Sequence, residues 1–138
     1  MLHYKLYKNN SSSEKVSGLW FARAYQTETY DLKKLCEHMS EHDTPFSPGV
    51  ISGVLKDMIR CVKELALDGK SVKLDDLGIF SIGIHSTGAE SPAKFDVKKN
   101  INSVRLRCRA TGSFSTSALK LNIKVGEYGK YSTETVTP

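Results

Sequence analysis

Residues 69–88 read GKSVKLDDLGIFSIGIHSTG, a helix end followed by two short alternating runs. Gly69 follows a long amphipathic segment and stands where a helix end wants a left-handed residue. Val72 and Leu74 then alternate with Ser71 and Lys73. Ile79, Ser81 and Gly83 alternate with Phe80, Ile82 and Ile84. A period of two predicts two short strands. Between them Asp75-Asp76 makes a turn, since Asp side chains satisfy turn backbones, and Gly78 is expected to relieve it. A hairpin directly behind a helix is the local plan.

Working upstream, the helix before the hairpin is bounded at both ends. Ser47 is its cap, Pro48 takes the first turn where a missing N–H costs nothing, and Gly69 closes it. Val50, Ile51, Val54, Leu55, Met58, Ile59, Val62 and Leu65 form a wide apolar stripe. A stripe this broad buries more than one short helix covers, and points to a second copy of the chain. Residues 29–41, TYDLKKLCEHMSE, predict a shorter helix capped by Thr29, with Leu32, Leu35, Cys36 and Met39 at helical spacing. Residues 1–8 and 17–26 predict two strands around the polar loop KNNSSSEKVSG; Trp20, Phe21 and Tyr25 suit a pleated surface.

Downstream, HSTGAESPAK is a loop or hairpin tip, and the chain returns as FDVKKNINSVRLRCR. In this return strand Val104, Leu106 and Cys108 alternate with Arg105, Arg107 and Arg109, so the arginines share one face. Neighbours on such a face lie about 6.5–7 Å apart, comparable to the phosphate spacing along a nucleic-acid strand. The adjacent strand, 79–84, has no acid to pair with them. Residues 94–109 hold Lys94, Lys98, Lys99 and the three arginines against Asp96 alone, which is the whole net charge of +5. Concentrated positive charge points to a polyanion. Residues 118–125, ALKLNIKV, fit either a strand or a short helix, and 126–138 read as a polar tail.

Length and composition bound the remaining classes. A chain of 138 residues suits one domain with an appendage. No window is apolar enough for a membrane span, and the N-terminus lacks a signal-peptide core, so a cytoplasmic protein with no membrane partner is expected. Cys36, Cys61 and Cys108 are odd in number and lack CxxC spacing; buried free thiols are expected. His38 and His42, at i and i+4, lack a third ligand and read as a solvated helix face, not a metal site. There is no phosphate loop, nucleophile elbow or telling Cys/His pair, so no catalytic residue, cofactor or small-molecule substrate is expected, and no enzyme.

The order of elements resembles the HU/IHF family of bacterial histone-like DNA-binding proteins. Gly69-Lys70 and Gly78-Ile79-Phe80 occupy the places of that family's helix end and second strand. The N-terminal hairpin and the run SIGIHSTGAES resemble the HU-like subgroup of Bacteroides-type bacteria. The resemblance implies an intertwined homodimer whose β-arms enter the minor groove, with a proline at each tip wedged between base steps. Here Pro92 is the candidate wedge, with an ordinary turn proline as the alternative. The chain departs from the family at Glu90-Ser91-Pro92, where Arg-Asn-Pro is usual. It departs again at Ala110-Thr111-Gly112-Ser113, where Pro-Gly precedes the last helix.

The expectation is an α+β, HU/IHF-like fold: two N-terminal helices packed on a β-sheet with a basic β-arm, plus an extra N-terminal β-hairpin. Its parts are the hairpin extension 1–28, an HU-like DNA-binding domain 29–125 and the tail 126–138. The expected function is architectural, nucleoid-associated binding of double-stranded DNA without sequence preference, by a homodimer. The contacts assigned are Lys94, Lys98, Lys99, Arg105, Arg107 and Arg109. The alternative is an HU-like dimeric scaffold or protein-interaction module that has lost DNA binding.

Overall fold

A computed structural model describes residues 1–129. The chain forms two compact units. One comprises Asp31–Leu119 and the other Met1–Tyr30 with residues 120–129. Secondary structure is mixed α and β, as expected for an HU-like chain.

The larger unit opens with α1 (Leu32–Glu41) and α2 (Pro48–Leu67). The cap of α1 is Asp31, not Thr29: its Oδ1 accepts from the Lys34 N–H at 2.9 Å. An acceptor at that position reaches the third helical N–H, whereas Thr29 lies two residues too early. Both expected ends of α2 are present. Ser47 Oγ accepts from the Val50 N–H at 3.3 Å and Pro48 opens the helix. At the other end Gly69 takes φ +78°, and the Lys70 N–H returns to the Leu65 carbonyl at 3.0 Å.

Strands β3 (Val72–Leu74), β4 (Gly78–Ser86) and β5 (Ile101–Ala110) form an antiparallel sheet in that order. The turn between β3 and β4 is strained at Asp76, φ +63°, and not relieved by Gly78 as expected. Gly78 serves close approach instead. A Cβ there would stand 3.2 Å from Cys108 Sγ and 3.3 Å from the Arg109 carbonyl oxygen. The ambiguous stretch 118–125 begins as helix, α4 (Thr116–Asn122).

The smaller unit holds β1 (Leu2–Lys8) and β2 (Trp20–Tyr25), paired antiparallel from His3↔Tyr25 to Lys8↔Trp20. It is more than a hairpin. A third strand, β6 (Val125–Glu127), joins β1 in parallel with Leu2 opposite Val125. Residues 126 and 127, expected in a polar tail, are therefore in a sheet: β1 is an edge whose unpaired N–H and C=O groups the C-terminal segment satisfies. The rest of the expected tail, from residue 130, lies outside the described residues.

The core is thin. Among the described residues, Cys36, Ile51 and Ala66 are the buried hydrophobic side chains. Cys61 and Cys108 are exposed rather than buried, because no described residue covers the faces they occupy. The α2 stripe is open, with Val54 64% and Ile59 53% exposed. No described helix is long and apolar enough to cross a membrane.

Candidate nucleic-acid interface

The register of β4 and β5 places the arginines. Arg105 lies opposite Gly83, Arg107 opposite Ser81 and Arg109 opposite Ile79. Facing residues of an antiparallel pair share one side of the sheet, so the three guanidinium groups stand in a row over small or neutral neighbours. Lys73 opposite Ile79, and His85 opposite Ser103, extend the same face at either end. Sequence reading passed over both, although counting in twos from Ile79 would have found His85.

Neither β4 nor β5 contains an acid, and none of the three arginines makes an ion pair among the described residues. All three are exposed. Gly83 gives Arg107 its path: a Cβ at Gly83 would meet the Arg107 Cδ at 2.6 Å, so the arginine stem lies across the glycine. Ser71, Ser81, Arg107 and Arg109 surround a shallow recess of about 280 Å³. Hydroxyls beside guanidinium groups are the donors a phosphate oxygen takes.

The lysines are placed differently from the sequence expectation. Lys94 lies on a short 3₁₀ turn, Pro92–Lys94, and Lys98 and Lys99 on a single helical turn, α3 (Val97–Asn100). The strand starts only at Ile101. Asn100 causes this. Its side chain donates to the Gly88 carbonyl at 3.3 Å and accepts from the Asp96 N–H at 2.8 Å. Its own carbonyl accepts from the Thr87 N–H at 2.8 Å. The tip folds on itself and leaves the arginines uncovered. Lys94 is ion-paired with Glu90, whereas Lys98 and Lys99 are exposed at the hairpin end.

Pro92 opens the 3₁₀ turn and is exposed. Phe95 lies with it around an open tip recess and is 42% exposed, an apolar residue that no periodic pattern in the sequence marks. Elsewhere, His38 and His42 bring their Nε2 atoms within 3.1 Å. No group of three or more His, Cys, Asp or Glu suited to a metal occurs among the described residues.

The model of the HU-HIG family, described as an HU domain fused to wHTH, Ig, or Glycine-rich motif, matches residues 1–124. None of the curated proteins matches the chain. The chain is similar to a crystal structure described as that of a candidate bacterial DNA-binding protein from Bacteroides vulgatus ATCC 8482. The TM-score is 0.69 and the identity 15%, and the match covers 96% of this chain and 50% of that one. At that identity the likeness is one of fold, and the chain spans half the length of its structural relative.

Proposed function

The chain belongs to the HU-HIG family, and on that premise we propose that it binds duplex DNA without sequence preference, as an architectural protein, through the arginine face of β5. The observation that carries the proposal is the exposed row Arg105, Arg107 and Arg109 on a strand pair that offers it no acid. A solvated structural face would pair such charges. A face built for a polyanion leaves them open and gains affinity by releasing counterions. Lys98 and Lys99 extend the charge to the hairpin end. Lys94 contributes less, since Glu90 already neutralises it. On this reading exposed Pro92 and Phe95 press on a base step at the surface, and the compact tip favours contact over deep insertion.

The binding form is a homodimer. A single chain leaves an apolar groove of about 400 Å³ lined by Met58, Ile59, Val62, Leu74, Phe80 and Leu106. Leu106 is 63% exposed on the sheet face opposite the arginines. An open apolar surface of this kind on a thin core supports a second copy as its cover, leaving both arginine faces outward.

The test is fluorescence anisotropy of labelled duplexes of differing sequence at several salt concentrations. Binding weakens steeply with salt and equally across sequences. Replacing the three arginines by Ala reduces the slope of log affinity against log salt by about 2–3, one phosphate contact per arginine. A loss confined to one sequence, or an unchanged slope, rejects the assignment.

A further inference from the structure

The β2-β1-β6 sheet carries a second surface of distinct composition. Its register puts His3 opposite Tyr25, Lys5 opposite Arg23 and Tyr7 opposite Phe21, all on one face. That face is layered: a ring pair, a pair of cations, then a second aromatic layer, at intervals of about 6.5–7 Å. The rings of Tyr7 and Phe21 lie 6.1 Å apart. Tyr128, just beyond β6, stacks on Tyr25 at 4.2 Å and meets His3 edge-on at 5.5 Å. The cations lean onto the rings, Lys5 Nζ 4.0 Å above Tyr25 and the Arg23 guanidinium 5.6 Å from Tyr7.

Two properties separate this face from an ordinary sheet surface. Among the described strand residues no acid shares it: Glu127, the acid of β6, lies opposite Tyr4 and so on the other side. Its aromatic residues are also not buried, with Phe21 37% and Tyr128 44% exposed. A core would bury the rings, and a plain solvated face would pair the cations. Rings suit bases and cations suit phosphates. A duplex keeps its base faces stacked on one another, so ring faces reach only the bases of an unpaired strand.

We propose that this face binds single-stranded nucleic acid, with bases stacking on Phe21 and Tyr128 and phosphates held by Lys5 and Arg23. The site is separate from the arginine face of β5 and binds a different form of nucleic acid.

The experiment titrates the full chain against labelled oligothymidylate and, in parallel, a labelled duplex. Phe21→Leu and Tyr128→Leu keep apolar bulk while removing the flat ring. Each is expected to weaken oligothymidylate binding about tenfold, with duplex binding and the melting curve unchanged. Phe21→Tyr, which keeps a ring, retains wild-type binding. Should a leucine variant unfold, Arg23→Gln supplies the test, lowering the salt slope for the single strand by about 0.7. Replacing Arg105, Arg107 and Arg109 by Ala gives the converse pattern, weakening the duplex alone. The proposal fails if wild-type protein does not bind oligothymidylate or if the leucine variants bind it normally. It also fails if only the triple arginine variant loses it, since the single strand then sits on β5. Wild-type protein that binds oligothymidylate but no duplex would overturn the DNA-architectural reading and leave this one standing.

Discussion

Asp76 shows how much one residue can organise. It holds a left-handed backbone at φ +63° in the β3–β4 turn and receives the chain leaving β5. Its carbonyl accepts from Ser113 Oγ at 3.0 Å, and its Oδ1 accepts from the Ser113 N–H at 3.3 Å. Gly112 makes this approach possible, at φ +57°. A Cβ there would lie 2.2 Å from Asp76 Oδ1 and 2.8 Å from the Asp76 Cα. Gly112→Ala therefore meets both a disfavoured backbone and a backbone clash. It should cost about 1–3 kcal/mol, read as a fall in the urea midpoint with an unchanged slope. The turn itself was legible, because Asp favours turns whatever lies around it. The role of Gly112 was not, because the atoms it avoids belong to a residue 36 positions away.

At the scale of elements, α2 and β5 follow their patterns closely, and the hairpin tip does not. The Ser47 cap acts within four residues, so Ser47→Ala should lower stability by about 1 kcal/mol. Thermal melting would show it, and an unaltered melt would mean the first turn of α2 is held by packing alone. In β5 the alternation of apolar residues and arginines maps directly onto two faces, since every residue of a strand points opposite to its neighbour. The tip defeated the same reading. FDVKKN has no clear period. Its helical turn depends on Asp96 capping the Lys98 N–H at 2.8 Å and on Asn100 reaching back to Thr87 and Gly88. As a result the lysines assigned to the arginine strand sit at its end, one of them spent on Glu90.

For the whole molecule, the thin core is the governing fact. A chain with three buried hydrophobic side chains among its described residues and an open apolar groove gains stability by association. Under the proposed dimer, the melting temperature rises with protein concentration. Ile59→Glu, which puts a charge on the open stripe of α2, shifts the protein to monomer in sedimentation and lowers its melting point. A wild-type monomer whose melting ignores concentration would remove the dimer from the proposal. The two charged surfaces predict a further separation. The β5 face responds to duplex and the N-terminal face to single strand, so competition between the two probes should be weak if both readings hold.

Elements whose causes are local follow from the order of residues alone. Caps, turn residues and the periods of helix and strand act within a few positions, so α2, the β3–β4 hairpin and the arginine row could be read directly. The sequence also carried the concentration of charge in residues 94–109. Three features arise only from long-range packing. It paired β6 with β1 across more than a hundred residues, setting Leu2 against Val125. It folded the tip through Asn100, and it left Cys61, Cys108 and the α2 stripe uncovered. Backbone pairing between distant segments depends on which edge stands open. Burial depends on what lies opposite, and neither quantity is a property of any one stretch of chain.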